Sequence, residues 1–234
     1  MAGALVGVEP TQLAHKASSK ARWLLVASAK GGTGKTTTVL NLAAFAVNER
    51  LRVALVDLDT QETLAIWHGL RPADMPAMHL VKAPLRHVER AIADIETAEA
   101  ANGGFDLVIL DTPPGVDQWP SQMKLLLMRC DYVLVPTMLG YGDLRSVAEW
   151  MQFLRREKAN AAFLLNATNR QTKSFVSVRN ALIKAGQICP IDIRRLEDIQ
   201  TATGTGCGVC EIKGAKGIED LQGLWDHVRH ALEI

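Results

Sequence analysis

Ala29-Lys30-Gly31-Gly32-Thr33-Gly34-Lys35-Thr36-Thr37 is the stretch from which the fold of this 234-residue chain can be read. It carries the end of the phosphate-loop pattern G-x-x-x-x-G-K-[ST], Gly34-Lys35-Thr36, with another residue in place of the first glycine. Glycines let the backbone curl so that successive N–H groups point at phosphate oxygens, and the following helix adds its positive N-terminus. In such a loop Lys35 reaches the β- and γ-phosphates and the Thr36 hydroxyl binds Mg²⁺. The flanks agree: Trp23-Leu24-Leu25-Val26-Ala27 reads as a buried strand, and Thr37 to Asn48 reads as a helix. The expectation is a nucleotide-binding site built by Lys30, Gly31, Gly32, Thr33, Gly34, Lys35, Thr36 and Thr37.

Two further apolar runs end in carboxylates. Arg52-Val53-Ala54-Leu55-Val56 leads into Asp57-Leu58-Asp59-Thr60-Gln61, and Phe105-Asp106-Leu107-Val108-Ile109-Leu110 leads into Asp111, followed by Thr112-Pro113-Pro114-Gly115. Phosphoryl transfer is catalysed mainly by positioning and charge stabilisation, so it needs Mg²⁺ ligands and a residue that orients the attacking water. Asp111 is expected to hold Mg²⁺ through water. One of Asp57 and Asp59 can instead cap the helix that starts near Gln61. More strands follow at Tyr132 to Thr137 and Ala161 to Asn166, with helices at Pro84 to Ala101 and Ser121 to Met128. This alternation predicts a single α/β domain over 22–234, with a mostly parallel central sheet and helices on both faces, after a short tail at 1–21. Ligands of such sheets bind at the carboxyl ends of the strands, where the loop and all three acids fall.

The spelling from Lys30 to Thr37 resembles the deviant Walker A motif of the ParA/MinD family of ATPases. Asp57-Leu58-Asp59-Thr60-Gln61 is similar to that family's D-x-D-P-Q switch segment, with Thr60 in place of the proline, and the run ending at Asp111 looks like its Walker B strand. The resemblance covers roughly residues 22 to 232. It implies ATP and Mg²⁺ as cofactors, and a homodimer in the ATP state in which Lys30 reaches the phosphates held by the partner subunit. By the same analogy Asp57 stands near the Mg²⁺ shell and Asp59 positions water, so that Lys30, Lys35 and Asp59 carry catalysis. Adenine is contacted from the strand end at Asn169 or, second, Asn166. The small partition ATPases of the family bind non-specific double-stranded DNA with ATP. A ParB-like adaptor stimulates their weak hydrolysis and releases them, which segregates a plasmid or chromosome. Other relatives position a protein cargo such as a chemotaxis array or a carboxysome.

Composition narrows the partners. With 26 Lys and Arg against 25 Asp and Glu the net charge is +1, so no global basic field steers nucleic acid to the chain. Local basic residues, Lys173, Arg179, Lys184, Arg194 and Arg195, are candidates for phosphate contacts that would be non-specific and salt-sensitive, or are ordinary solvated faces. No run approaches the ~18 apolar residues of a membrane span. The last helix places Ile218, Leu221, Leu224, Trp225, Val228 and Leu232 on one face, but its polar face mixes Glu219, Asp220 and Asp226 with Arg229, so it is expected to pack on the sheet and not on a membrane. Met1 to Lys20 lacks a basic start followed by an apolar stretch, and Lys16, Lys20 and Arg22 could brush a polyanion. A cytoplasmic, nucleoid-associated protein is expected. Cys207-Gly208-Val209-Cys210 is either a redox pair or half of an iron–sulfur site completed across a dimer, or plain structure in a Gly-rich approach to a final strand and helix. A zinc site would need two more ligands, and Cys130 and Cys189 lie far away in sequence.

Overall fold

The computed structural model describes residues 20–101, 103–138 and 144–234; most of the tail, with Lys16, lies outside the described residues. Seven parallel strands form one sheet: β1 (Arg22–Val26), β2 (Val53–Asp57), β3 (His79–Lys82), β4 (Leu107–Asp111), β5 (Tyr132–Thr137), β6 (Ala161–Thr168) and β7 (Ile188–Arg194). Their order across the sheet is β3-β2-β4-β1-β5-β6-β7. Because alternate side chains of a strand point to opposite faces, each strand feeds two cores. Trp23 and Leu25 of β1, Val108 and Leu110 of β4, and Val133 and Val135 of β5 join one core; Leu24, Val26, Leu107, Ile109, Tyr132 and Leu134 join the other. Strands buried on both faces read as continuous apolar runs, which is why these were visible in the sequence.

Helices cover both faces. α1 (Lys35–Asn48), α2 (Thr63–Gly69), α7 (Glu197–Ala202) and α8 (Ile218–Leu232) supply the second core through Leu40, Trp67, Ile199 and Trp225. The first core is closed by α3 (Val88–Ala101), α4 (Pro120–Leu127), α5 (Leu144–Arg156) and α6 (Lys173–Ala185), through Ile95, Met123, Leu154 and Leu182. Each such fully buried aliphatic side chain contributes about 1.5–3 kcal/mol. Pro84 is extended and cannot sit inside a helix, so the segment read as a helix from Pro84 begins with a 3-10 turn at Leu85–His87 before α3. α8 buries Leu221, Leu224, Trp225, Val228 and Leu232 against the sheet, and its Trp225 indole N–H donates to Glu49 Oε1 at 2.9 Å. Among the described residues no helix is long and apolar enough to cross a membrane.

Two edge strands depart from the sequence reading. β3 has only four residues, and β7 is interrupted by Pro190 and Asp192, so neither shows an uninterrupted apolar run. As a result the final strand precedes Ala202 and does not follow Glu211; 203–212 forms turns and a 3-10 turn at Val209–Glu211. Arg194 closes β7.

Candidate nucleotide-binding site

β1 and β4 are neighbours whose outgoing connections run in opposite directions across the sheet, β1 to β2 and β4 to β5, and the crevice at their carboxyl ends is where ligands of this architecture bind. The phosphate loop fills that place. Gly32 and Gly34 adopt left-handed φ of 70° and 85°, and a side chain at Gly34 would collide with the Asn166 amide. Only glycine meets both demands at that position. α1 begins at Lys35, two residues earlier than read, so Lys35 and Thr36 belong to its first turn, where backbone N–H groups have no partner within the helix. The loop is tied to the segment that follows Asp111 by Gly115 N–H, which donates to Ala29 O at 3.0 Å.

Parallel register sets the acids side by side: Val26, Asp111 and Asp57 are partners across β1, β4 and β2. Asp111 accepts the Thr36 hydroxyl at 2.6 Å on Oδ2, while its Oδ1 is buried without a partner among the described residues. Burial pushes the Asp111 carboxyl up to about 7; the charges of Asp57 and Asp59 add to the rise, and the Thr36 hydroxyl and Lys35 oppose it. Lys35 is 7 % exposed, donates to Lys30 O at 3.3 Å, and is held below the usual lysine range by burial, against the pull of Asp111 and Asp59. Asp57 is also raised by burial, although it accepts Asp59 N–H at 3.1 Å and Ala65 N–H at 2.9 Å. The acid that serves the first turn of α2 is therefore Asp57, whereas half-buried Asp59 accepts the Gln61 N–H at 3.0 Å.

These residues fit Mg²⁺ and a nucleoside triphosphate. An unpaired, desolvated carboxylate oxygen beside a threonine hydroxyl is the donor set that Mg²⁺ takes through one or two protein oxygens and water. The buried hydroxyls of Ser28 and Thr33, also without a partner among the described residues, lie in the same segment. Thr36 and Asp111 would hold the metal, with Asp57 adjacent, and the metal would neutralise charge on the phosphates. Lys30, half-buried at the head of the loop, completes the lysine pair.

A cleft of about 300 Å³ opens on the other side of the loop, lined by Thr33, Gly34, Thr37, Asn166, Arg194 and Gln200 among others. Asn166 enters it from β6, with Nδ2 donating to Thr33 O at 2.8 Å and Oδ1 accepting Ala167 N–H at 2.8 Å. Asn169 does not reach the cleft. It sits past the strand end, where its Oδ1 accepts Gln171 N–H and its carbonyl accepts the Thr172 hydroxyl, a turn that leads into α6. Asn166, ranked second in the sequence, is the asparagine beside the phosphate loop.

The five basic candidates lie on two parts of the chain. Lys173, Arg179 and Lys184 lie on α6, with Arg179 half-buried. Arg194 and Arg195 line the cleft, and Arg194 Nε donates to Asp220 Oδ2 at 2.8 Å. Cys207 is buried, and half-buried Cys210 has its thiol pushed up to about 11 by burial. Among the described residues no group of three or more His, Cys, Asp or Glu could hold a metal ion. The sequence reading missed Asn41, fully buried in α1, which donates to Thr37 O and accepts Val209 N–H, both at 2.8 Å. A polar residue inside the apolar run of α1 was its signal. Arg71 and Glu211, a buried ion pair at 2.6 Å that joins the end of α2 to the 203–212 turns, left no motif.

Fold and site together define a P-loop nucleotide-binding protein. A sequence profile of the CobQ/CobB/MinD/ParA nucleotide binding domain matches residues 24–231, and the chain belongs to that family as an ATPase of the ParA/MinD type. It is 28 % identical over 209 residues to maintenance of carboxysome distribution protein A of Halothiobacillus neapolitanus, covering 86 % of this chain and 92 % of that one. To the chromosome-partitioning ATPase Soj of Thermus thermophilus it is 34 % identical over 164 residues, 60 % of this chain and 64 % of Soj. The fold superposes on the MinD cell division protein of Aquifex aeolicus with a TM-score of 0.72 at 15 % identity, covering 90 % and 98 % of the two chains. An ATP complex of Cyanothece McdA gives 0.69 at 18 % identity, covering 93 % and 98 %.

Proposed function

We propose that this chain is a nucleotide-driven switch of the partition type. ATP and Mg²⁺ bring two copies together, the dimer binds double-stranded DNA without sequence preference, and an adaptor stimulates slow hydrolysis and releases it, which segregates a plasmid or chromosome. The observation that supports this most is the meeting of Lys30, Lys35, Thr36, Asp57, Asp59 and Asp111 around one loop. Lys30 would act on the partner's nucleotide and Asp59 on the attacking water. Asn166 is our choice for the base contact, and Lys173 and Lys184 of α6 for phosphate contacts. A second reading, positioning of a protein cargo, is favoured by the near full-length match to the carboxysome distribution protein. Both readings share the DNA-tethered switch and differ in the adaptor.

The test is binding to arbitrary duplex DNA with ATP, ADP or no nucleotide, in the wild type, Lys30→Ala and Lys35→Ala. Salt-sensitive binding with ATP only, lost in both variants, is expected. ATP binding without any DNA binding would reject the DNA-tethered switch.

A further inference from the structure

Helix α6 buries Val178 and Leu182 in the first core, and Phe175 and Ala185 pack beside them. Its outer side is a single exposed face: Lys173, Val176, Ser177, Asn180, Ile183 and Lys184 fall within about a third of the helix circumference. Val176 is 56 % and Ile183 47 % exposed, and their spacing of seven residues sets them on one stripe. The helix carries no Asp or Glu, and among the described residues neither Lys173 nor Lys184 makes an ion pair. Arg179 is half-buried and within electrostatic reach of Asp192 of β7. Lys173 stands in the first turn, where the helix dipole disfavours a cation and no acid offsets it.

We propose that this face docks an acidic amphipathic helix of a partner protein. The apolar stripe of that helix covers Val176 and Ile183, and its flanking carboxylates reach Lys173 and Lys184. Each feature of the face selects one property of the partner. Apolar residues seven apart match the repeat of paired helices, and Asn180 between them leaves a polar group of the kind that sets register. The two lysines are eleven residues, about 16 Å, apart, so a partner of three turns spans them. Unpaired cations, one of them against the helix dipole, call for carboxylates. A polyanion alone would satisfy the lysines and gain nothing from Val176 and Ile183. A bilayer needs a broad apolar face, which Ser177 and Asn180 interrupt. The other exposed apolar pair, Ile66 and Leu70, lies beside Arg71 and Lys82, whose charges are already used on Glu211 and Glu62, so nothing there selects a partner. Since Lys173 and Lys184 are also our choice for phosphate contacts, docking and DNA would exclude each other on α6; that consequence rests on the proposed function, and docking itself does not.

The test uses three capped, fluorescein-labelled helices of about five turns, titrated with the full chain and followed by anisotropy. The first has leucines seven residues apart flanked by glutamates, the second has lysines for the glutamates, and the third has serines for the leucines. Saturable binding of the first alone is expected, about tenfold weaker to Val176→Gln/Ile183→Gln and to Lys173→Gln/Lys184→Gln. No saturable binding at submillimolar protein, equal binding of the second or third helix, or an unchanged affinity in either double variant overturns the proposal. Self-association of the wild type without nucleotide that Val176→Gln/Ile183→Gln abolishes would assign the face to a second copy and overturn it as well. Duplex DNA is titrated into the same samples with ATP, and Val176→Gln/Ile183→Gln should keep the wild-type DNA affinity. A DNA affinity that falls in parallel with helix affinity in that variant would make the face a polyanion site, against the proposal. A wild type that binds the first helix and no DNA counts against the DNA reading alone and leaves the docking result standing.

Discussion

The two flanks of the phosphate loop solve opposite problems. On the acid flank, at the ends of β1, β2 and β4, the charges are buried and incompletely paired: Asp111 Oδ1 has no partner among the described residues, and burial works against the charged forms of Asp111, Asp57 and Lys35. On the other flank, at the ends of β6 and β7, Asn166 and Arg194 are paired within the chain. Asn166 uses its amide on Thr33 and Ala167, and Arg194 is held by Asp220. The chain carries a standing cost where the proposed chemistry falls, and an internally paired wall where the proposed base contact falls. Such strain survives when the surrounding structure over-determines it, as the fully buried strands do here.

The sharpest break of this comparison is by pH. An Asp111 carboxyl raised from 3.8 to about 7 holds a proton in the native state that the unfolded chain has already released. The contribution of this group to native stability without nucleotide should therefore be fully present below about pH 4, fall as pH rises, and be lost above about pH 7, by roughly 4 kcal/mol. Denaturant midpoints between pH 4 and 8 measure it, and Asp111→Asn should flatten the curve while abolishing the gain from Mg²⁺ and ATP. An equal slope in wild type and variant would show that the acid flank carries no such cost.

Next in size is Lys35→Ala. Removal of this cation should weaken ATP by about a hundredfold, the loss of charge-assisted contacts worth ~2.7 kcal/mol, with little change in folding stability because Lys35 is itself penalised by burial. Calorimetric titration with ATP and a thermal melt separate the two. A large loss of stability with unchanged affinity would make Lys35 a structural ion and not a phosphate ligand.

Asn166→Ala reverses the expectation. It leaves Thr33 O and Ala167 N–H without their partner and opens space beside Gly34, so stability should fall by about 1–3 kcal/mol, and ATP affinity with it. If the melt is unchanged while ATP binding collapses, this flank is not internally paired and the contrast fails.

The same asymmetry explains what could be read from the sequence. Glycines in tight loops, a lysine and threonine at fixed offsets, and apolar strands that stop at an acid are local signals, so Lys35, Thr36, Asp57 and Asp111 and the parallel sheet were legible. The other flank is assembled from separate elements by long-range packing. Nothing local tells that Asn166 and not Asn169 faces the loop, because the choice depends on how far β6 extends before it turns. Nor does the sequence show that Arg194 closes the edge strand β7, where Pro190 and Asp192 mask the strand pattern. In the same way Asp57 took the role at the first turn of α2 because β2 ends level with that turn, a matter of register and not of residue type.

The smallest effect is expected at Arg194, and it sorts the basic residues. Arg194→Gln removes an exposed partner of Asp220 at the rim of the cleft, and surface ion pairs contribute little. ATP affinity should change by no more than about twofold. In DNA binding, the salt slope falls by about 1 for every phosphate that is no longer neutralised, so Lys173→Gln and Lys184→Gln should each reduce it, because both project from α6. Arg194→Gln should leave it unchanged, since the side chain is directed to Asp220 and the nucleotide cleft. If Arg194→Gln lowers the slope as much as the α6 variants do, the cleft rim is part of the DNA surface, and the internally paired flank has a second, anionic ligand.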